Sequence, residues 1–456
     1  MTMISSLLRF GRRLLHTIVS TEIIKPSFPT PSHLQKYNLS VFDQSIPSSF
    51  IPLITFYPNT GVYQSSHDQM HDLKTSLSYT LTKYYPFAGR HAKTTPTYVD
   101  CNDQGAVVIE ASIDSTLSAF LRTSQHEDLD QLFPYERTWR DSTHGDQDLQ
   151  SDTVIPLAIK VSHFDCGGVA LAVSLSHKIA DAYSLIHFVS HWARVCSKRE
   201  TCEAPFEFDP HFISFENTKI NFSETSLQQS NDCVITRSFI FPKTKINELK
   251  LKAVTAGGSG QHINNPTRVE VVTWLLYKCA VAAATENNSG SFKPTSICLA
   301  VSLRDRMMEP LPKNSIGNFL YRLEVQTSNE MELKPELLIG ELRNQKMKIH
   351  GIKNIEAASA PLLNTSSNSK QEENQGRLDN AYICSSLCGY PAYGIDFGWG
   401  APIKATLPGN LRKNSFLLMD ASKEEGIEAL VCLRKQDMDI VERDPELLLY
   451  ADFSSS

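Results

Sequence analysis

Residues 154–196 read VIPLAIKVSHFDCGGVALAVSLSHKIADAYSLIHFVSHWARVC, and this stretch combines the patterns of two strands and one helix. The run Val154–Phe164 is apolar and rich in β-branched residues, and Val169–Ser176 has the same character. Between them, Asp165-Cys166-Gly167-Gly168 is a turn sequence, because two glycines give the backbone the freedom that a tight reversal requires. The pattern therefore predicts a hairpin of two strands in the core of an α/β protein.

A helix is predicted directly after the second strand. Asp181 stands where this helix begins, and Asp is favoured there because its carboxylate accepts a hydrogen bond from an unpaired backbone N–H. His177 then lies on the turn between strand and helix, where a side chain can project into a cleft. The predicted apolar face has helical spacing and consists of Leu185, Phe188, Val189, Trp192 and Val195.

The spacing His177-x-x-x-Asp181 has little meaning alone, because His126/Asp130 and His144/Asp148 share it. Those two pairs lie in the polar stretch 125–150, which we interpret as a solvated surface loop. Context therefore leaves two interpretations of His177 open. It is either a chemical group in a cleft or a hydrogen-bonded histidine beside a helix-capping aspartate.

Composition excludes several classes of protein. The chain has 456 residues, of which 41% are hydrophobic and 21% charged, as is typical of a folded globular protein with two or more domains. Its net charge of −6 leaves no basic excess for binding nucleic acid. The cysteines are scattered, and no pair at zinc spacing faces Cys384 and Cys388, so neither a disulfide framework nor a metal site is expected. A reducing, cytoplasmic location fits this cysteine usage.

The first 21 residues form a separate segment of the sequence, a leader. Arginines lie on or near one side of it as a helix, and no acidic residue precedes Glu22. Two interpretations stay open: an amphipathic transit-type segment for an organelle, or a dispensable, disordered leader. The segment is too short and too charged to span a membrane. The opposite helical face would carry Ile4, Leu7, Leu8, Leu15 and Ile18.

Strand and helix patterns alternate on both sides of the central stretch. Residues 201–232 are polar and lack periodicity, and we interpret them as a crossover between a first domain at 22–200 and a second at 233–456. In the second domain, Thr267-Arg268-Val269-Glu270 matches a capping box and predicts a helix. The polar residues 359–377 are expected to form a loop.

The second unusual stretch is Gly394–Pro402, GIDFGWGAP. Two glycines flank Trp399 close to Asp396, a composition that favours a rigid turn with close backbone approach. The stretch is no dinucleotide fingerprint, because the third glycine and the strand-then-helix frame are missing. The sequence GGSGQ at 257–261 also lacks the last glycine of a serine-hydrolase elbow. From the residues alone, the turn at 394–402 is either structural or functional.

Together, His177-x-x-x-Asp181 and Asp396-Phe397-Gly398-Trp399-Gly400 resemble, in this order, the two signatures of the plant BAHD acyl-CoA-dependent acyltransferases. The resemblance extends from Glu22 to the C-terminus. The sequences of residues 163–168 and 176–181 are similar to those of the alkaloid-acylating branch of that family. Shorter matches are Ile24-Lys25-Pro26, Tyr37-Asn38-Leu39-Ser40 with Asp43-Gln44, Tyr85-Pro86-Phe87-Ala88-Gly89-Arg90, and Gly317-Asn318.

This resemblance implies an α/β fold of two similar chloramphenicol-acetyltransferase-like domains with a channel between them and His177 at its middle. It implies a monomer without a permanently bound cofactor, which takes an acyl-CoA, acetyl-CoA first, as co-substrate. The expected acceptor is a small hydroxylated plant specialised metabolite, with a monoterpene indole alkaloid favoured. Acylation of a sugar, terpenoid or phenolic acceptor is an alternative, as is a non-catalytic ligand-binding relative. A hydrolase ranks third among the functions considered, after an acyltransferase and a non-catalytic ligand-binding protein, because the serine-hydrolase elbow is incomplete.

The resemblance also implies roles for individual residues. His177 is the expected general base, without a covalent acyl-enzyme. Asp181 is expected to form a structural ion pair with an arginine of the second domain, for which Arg304 is our candidate. Asp396 is counted as catalytic in the family, yet we expect it to shape its loop together with Gly398. The indole N–H of Trp399 is a hypothetical donor to the oxyanion of the tetrahedral intermediate.

The chain departs from the family pattern at two places. Family members usually have Ser-Ser-Trp-Cys-Arg before the second motif, whereas this chain has Ser385-Ser386-Leu387-Cys388-Gly389. Ser302 stands where Asn is common. We expect these changes to affect the shape of the acceptor site and the affinity for CoA.

Overall fold

The computed structural model describes residues 16–62, 65–136, 138, 152–198, 210–213, 233–256, 263–364, 380–409, 411–422 and 426–453. Most of the predicted crossover and loop therefore lie outside the described residues, as do the pair His144/Asp148 and the sequence at 257–261. One part of the loop is corrected, because residues 359–364 belong to a helix.

Strands and helices alternate along both halves of the chain. The strands are β1 (His16–Ile24), β2 (Lys36–Asn38), β3 (Phe50–Tyr57), β4 (Arg90–Ala92), β5 (Tyr98–Asp100), β6 (Ala106–Ile113), β7 (Thr153–Val154), β8 (Leu157–Phe164), β9 (Val169–Ser176), β10 (His211–Phe212), β11 (Val234–Pro242), β12 (Thr295–Ser302), β13 (Ser315–Ile316), β14 (Leu320–Thr327), β15 (Ala381–Ser386), β16 (Lys404–Thr406), β17 (Ser415–Asp420), β18 (Gly426–Arg434) and β19 (Asp452–Phe453). The α-helices are α1 (Val41–Ser45), α2 (Ser66–Lys83), α3 (Leu117–Thr123), α4 (Ala182–Cys196), α5 (Lys243–Thr255), α6 (Arg268–Asn287), α7 (Pro335–His350), α8 (Ile355–Asn364), α9 (Lys435–Val441) and α10 (Pro445–Tyr450).

Two large mixed sheets organise the two halves, and this arrangement confirms the predicted α/β fold. The first sheet has the order β1-β6-β8-β9-β3-β16, and the second has the order β14-β12-β15-β17-β18-β11-β19. Two small sheets, β2-β5-β4-β7 and β10-β13, complete the set. Across the described residues, no helix combines the length and the apolar character that crossing a bilayer would require.

The central hairpin forms as predicted. Strands β8 and β9 pair antiparallel from Leu157↔Leu175 to His163↔Val169. Gly167 has a φ of +76°, the left-handed backbone region that favours glycine in a tight turn. Every residue of β9 is buried, and α4 begins directly after Asp181. The predicted capping box at Thr267 and Glu270 also opens α6.

One strand of the second half belongs to the first sheet. Strand β16 pairs antiparallel with β3, with Lys404 opposite Phe56 and Thr406 opposite Ile54. All residues of β3 are buried, so the backbone groups on its outer edge need partners that β16 supplies. The bounds of the second domain, residues 233–456, stay a prediction, within which this strand pairs with the first sheet.

The end of the predicted leader is a strand. Strand β1 includes Ile18 and pairs antiparallel with β6, from His16↔Ile113 to Ile24↔Ala106. The helical face proposed to include Ile18 is therefore corrected, because the edge of β6 draws this backbone into a sheet ladder. Residues 1–15 of the leader lie outside the described part of the chain.

The stretch 125–150 was expected to be a solvated loop, and its start is not. Residues His126–Leu132 form a short 3-10 helix, and His126 is only 6% exposed. The backbone N–H of Gly409 donates to the carbonyl of His126 at 3.1 Å, and Thr406 Oγ1 lies 3.4 Å from its Nε2. The crossing segment around β16 thus covers this histidine.

Candidate active site

His177 lies on the turn between β9 and α4, where the two halves meet. Its backbone N–H donates to the carbonyl of Ser49 at 2.8 Å. Its own carbonyl accepts from Nδ2 of Asn318, a residue of the second half, at 2.7 Å. The neighbours Ser176 and Lys178 are each 2% exposed, whereas His177 is partly exposed. His177 therefore retains some exposure at the junction of the two halves, between two buried neighbours.

One hydrogen bond fixes the tautomer of the neutral imidazole. Nδ1 of His177 lies 3.0 Å from the carbonyl oxygen of Ala180. A carbonyl oxygen can only accept, so Nδ1 carries the proton in this contact. Nε2 then bears the lone pair of the neutral ring, and it is the nitrogen that can take a proton from a substrate.

Burial keeps the imidazole in its basic, uncharged form. Desolvation lowers the pKa of His177 below the ordinary value of 6.5, although the carboxylate of Asp181 and nearby hydrogen bonds act in the opposite direction. A lowered pKa leaves the ring mostly neutral near pH 7. The neutral form is the one that general base catalysis requires.

This pKa gives a testable pH dependence. We expect kcat/KM for acyl transfer to fall as the pH drops through the pKa of His177, because protonation removes the lone pair of Nε2. The midpoint of this acidic limb should lie below pH 6.5. Circular dichroism at each pH separates the titration from acid unfolding. An acidic limb centred above pH 6.5, with the enzyme folded, would contradict the assignment.

Asp181 and Arg304 form the predicted ion pair between the halves. Nη1 of Arg304 donates to Oδ2 of Asp181 at 2.6 Å, and Nη2 donates to Oδ1 at 3.0 Å. The side chains are 6% and 2% exposed for Arg304 and Asp181. Oδ1 also accepts from the backbone N–H of Ser184 at 2.9 Å, which caps α4. Burial raises the pKa of Asp181, but the Arg304 guanidinium and the Ser184 donors outweigh it and hold the pKa below its usual range.

Arg304 also binds the loop that precedes β14. Its Nε donates to the carbonyl of Ser315 at 3.2 Å, and Nη2 donates to the carbonyl of Gly317 at 3.1 Å. The guanidinium lies over the rings of Tyr183, at 4.4 Å, and Phe319, at 5.0 Å. One buried arginine thus attaches the second half to the beginning of α4, as the resemblance implied for Asp181.

Asp396 shapes the loop of the second motif. Its Oδ1 accepts from the backbone N–H groups of Gly398 and Gly400, both at 2.8 Å. The two glycines have φ values of +95° and +91°, which side chains other than glycine rarely adopt. The carboxylate therefore closes a tight turn, as expected for a structural role.

The loop is anchored on aromatic residues of the first half. The hydroxyl of Tyr57 in β3 donates to the carbonyl of Ile395 at 3.0 Å. The Trp399 ring lies edge-on to Tyr57 at 5.1 Å, and Phe397 contacts Trp192 of α4 at 4.8 Å. The turn therefore packs on the core of the first half, although it comes from the second.

Two independent measures place this loop far from His177. A Cβ built on Gly398 would lie 3.5 Å from the Cα of Ser197, at the end of α4, whereas His177 precedes its beginning. A helix of 15 residues is about 22 Å long. In addition, Tyr57 pairs with Val169, at the opposite end of the eight-residue strand β9 from Ser176. The separation is therefore on the order of 20 Å.

This distance is incompatible with the predicted oxyanion role of Trp399 and with the catalytic role that the family gives to Asp396. An oxyanion donor must lie within about 3 Å of the reacting oxygen. Trp399 is too far from His177 for that role, and Asp396 is too far to exchange a proton with the reacting groups. Both residues, with Gly398, instead stabilise the core that supports the hairpin.

The role of Asp396 can be tested by two substitutions. Asp396→Asn keeps the Oδ1 acceptor for both glycine N–H groups, so kcat should stay close to the wild-type value. Asp396→Ala removes the acceptor and should lower the free energy of unfolding by about 1 kcal/mol. Chemical denaturation and steady-state kinetics measure the two quantities. A large loss of kcat in Asp396→Asn with unchanged stability would restore a direct role.

A second histidine contact bears on the hydrolase alternative. Oγ of Ser176 lies 2.9 Å from Nε2 of His91, a pairing that activates serine nucleophiles in other enzymes. Both residues are buried, with 2% and 4% exposure, so this serine is closed to a substrate. The contact supports the packing between β4 and β9 and does not favour a hydrolase.

The positions that depart from the family pattern have structural explanations. Leu387 is buried in the core. Gly389 has a φ of +88° and donates its N–H to Oδ2 of Asp420 at 2.7 Å. Ser302 Oγ accepts from the backbone N–H of Arg304 at 3.3 Å, so this serine supports the arginine of the ion pair.

Sequence reasoning gave no role to Asn318, which binds the carbonyl of His177, or to Asp43, which binds Asn318. Nδ2 of Asn318 also donates to Oδ1 of Asp43 at 2.8 Å. Both residues occur in the short matches to the family, but that resemblance carried no function for them. A contact between residues 275 positions apart leaves no local pattern in a sequence.

Comparisons with known proteins agree with the fold and identify a family. A family model described as the Transferase family matches residues 15–448. The 17,18-epoxy-17-hydroxycur-19-ene N-malonyltransferase of Strychnos nux-vomica is 35% identical over 436 residues, which cover 95% of this chain and 90% of that protein. Deacetylvindoline O-acetyltransferase of Catharanthus roseus is 34% identical over 448 residues, 95% of this chain and 97% of the relative. The crystal structure of vinorine synthase superposes with a TM-score of 0.78 at 31% identity, covering 97% of this chain and all of that one.

Proposed function

Because this chain belongs to the BAHD acyltransferases of the Transferase family, we propose that it transfers an acyl group from an acyl-CoA to a hydroxyl of a plant specialised metabolite. Acetyl-CoA is the first candidate donor, and a monoterpene indole alkaloid is the first candidate acceptor. The observation that carries this proposal is the partly exposed, neutral imidazole of His177 at the junction of the two halves.

The chemistry follows from the tautomer of that imidazole. Nε2 of His177 takes the proton of the acceptor hydroxyl while the oxygen forms a bond to the thioester carbonyl carbon. The tetrahedral intermediate then expels the CoA thiolate, and the protonated imidazole returns its proton to that sulfur. The single proton taken from the acceptor thus ends on the leaving sulfur, and no covalent acyl-enzyme forms. General base catalysis of this kind contributes about 10²–10⁴-fold in rate.

The orientation of the base comes from backbone contacts. Nδ1 of His177 is held by the carbonyl of Ala180, and the oxygens of Asp181 serve Arg304 and Ser184. Asp181 therefore does not complete a triad with the imidazole. Its part is to fix the helix start that carries Ala180.

The names of the relatives support acyl transfer but differ in the acyl group and in the acceptor atom. One relative is an O-acetyltransferase and another an N-malonyltransferase. Acetyl transfer to oxygen remains our proposal, and malonyl transfer to nitrogen is the second candidate, favoured by the relative from Strychnos nux-vomica. The mechanism is the same for both, because Nε2 can deprotonate either attacking group.

The proposal is tested by an assay with the purified enzyme. Acetyl-CoA and malonyl-CoA are each combined with a panel of alkaloid alcohols, amines, sugars, terpenoids and phenolics, while free thiol is detected and products are identified by mass. We expect acceptor-dependent thiol release that matches the amount of acylated product. Equal thiol release without acceptor would indicate a hydrolase. Binding of CoA without any turnover across the panel would indicate a non-catalytic relative.

A further inference from the structure

Asn318 is a fully buried residue of the second half that contacts two residues of the first half. Its Nδ2 donates to the carbonyl of His177 at 2.7 Å and to Oδ1 of Asp43 at 2.8 Å. Both partners accept at these atoms, so the amide nitrogen must face them. The backbone N–H of Asn318 adds a third bond, to Oδ1 of Asp43 at 3.0 Å.

Asp43, which accepts two hydrogen bonds from Asn318, is itself held in place by its neighbours. It lies in α1, is 1% exposed, and forms a capping box with Ser40. Its Oδ2 accepts from the backbone N–H of Ser40 at 2.9 Å and from Ser40 Oγ at 2.6 Å. Two donors of Ser40 and two of Asn318 therefore occupy the carboxylate, and Asn318 has little freedom to move relative to α1.

The backbone of His177 depends on such partners. Strand β9 ends at Ser176, so His177 lies just beyond the residues of β9 that pair with β3. Its N–H donates to Ser49 of the first half, and its carbonyl accepts from Asn318 of the second. The peptide plane that follows His177 is thus held at its carbonyl by Asn318 and at its N–H by a longer bond of 3.4 Å from Lys178 to Ser176 Oγ. Loss of the Asn318 bond leaves this plane with the weaker of the two, and the direction of the imidazole can change with it.

We propose that Asn318, held in place by Asp43, is a positioning residue of the transfer reaction. Its bond to the carbonyl of His177 fixes the orientation of the imidazole and therefore the direction of Nε2. Because Asn318 belongs to the second half, this orientation depends on the contact between the two halves. This inference rests on the proposed function, because it assumes that His177 is the base. Arg304 joins the same halves through Asp181, whereas Asn318 binds His177 directly.

The test uses Asn318→Asp and Asn318→Ala. Asn318→Asp keeps the shape of the side chain but places an oxygen against two acceptors, and Asn318→Ala removes both bonds. A displacement of about 1 Å in a reacting group costs about 10²-fold, so we expect kcat to fall by that order. KM for the acyl-CoA should change little, because Asn318 is fully buried. If Asn318→Asp does not fold, the loss of kcat is measured in Asn318→Ala instead.

A double variant separates positioning from packing. In Asp43→Asn/Asn318→Asp the carboxylate and the amide exchange places, so their mutual hydrogen bond can form again. The carbonyl of His177 still lacks its donor. We expect a higher melting temperature than in Asn318→Asp, with kcat still low. Recovery of wild-type kcat in the double variant, or wild-type kcat in Asn318→Ala, would overturn the proposal.

Asn287→Ala is a control for the loss of an asparagine-to-aspartate hydrogen bond away from His177, at a more exposed position. Nδ2 of Asn287, in α6, makes the same kind of bond to Oδ1 of Asp437 at 2.8 Å. Its loss should lower stability without lowering kcat. The two proposals fail separately. A wild-type enzyme inactive with every acyl-CoA would refute the proposed function, whereas an active wild type with unaffected Asn318 variants would refute only the positioning role.

Discussion

His177→Ala is expected to lower kcat for acyl transfer by about 10²–10⁴-fold while the protein stays folded. The substitution removes Nε2, the proposed proton acceptor. It leaves the backbone bonds of residue 177 to Ser49 and Asn318 in place. The ring hydrogen bond to the carbonyl of Ala180 is lost, but the elements on either side of residue 177 keep their own pairing.

The measurement is steady-state kinetics with the acceptor identified in the panel assay, together with circular dichroism and thermal melting. His163→Ala is the matched control, because His163 is also a half-buried histidine of the hairpin but lies at its opposite end, 3.6 Å from Glu110. We expect this control to keep its kcat. Near-normal turnover of a correctly folded His177→Ala would refute the general base.

Asp181→Ala is expected to cost about 3–5 kcal/mol of unfolding free energy, because it leaves the guanidinium of Arg304 buried without its counter-charge. The same change removes the cap of α4, since Oδ1 of Asp181 accepts from the N–H of Ser184. Soluble yield should therefore fall as strongly as the rate. Chemical denaturation measures the loss of stability.

The control is Asp439→Ala, which removes an exposed ion pair of the second half. Nζ of Lys435 lies 2.8 Å from Asp439, with side-chain exposures of 49% and 45%. A surface pair of this kind contributes at most about 1 kcal/mol. If Asp181→Ala instead keeps wild-type stability and loses only activity, its carboxylate takes part in the chemistry and the structural assignment is wrong.

The sequence predicted the elements that depend on neighbouring residues. The hairpin, its Gly167 turn, the Asp181 cap and the Thr267 capping box all formed as expected. Each rests on hydrogen bonds or backbone freedom within a few positions, so the residues present determine it directly. The ion pair with Arg304 was also predicted, but through the resemblance to a family rather than from any local pattern.

The sequence failed where distant segments meet. Strand β16 joined the first sheet, which buried His126 and placed Trp399 on Tyr57. The edge of β6 turned the end of the leader into a strand. In each case, a segment pairs with a sheet edge or packs on an apolar surface that lies far from it in the sequence. The composition of the segment alone did not predict that contact.

The sequence by itself determined the two α/β halves, the turn that presents His177 and the family to which the chain belongs. Only the tertiary structure decided which side chains reach the backbone of that histidine: Asn318 of the second half binds its carbonyl, and Asp396 and Trp399 stay about 20 Å away. The physical reason is that capping and turn formation act over a few residues, whereas Asn318 bonds to His177 and to Asp43 across 141 and 275 positions of the chain.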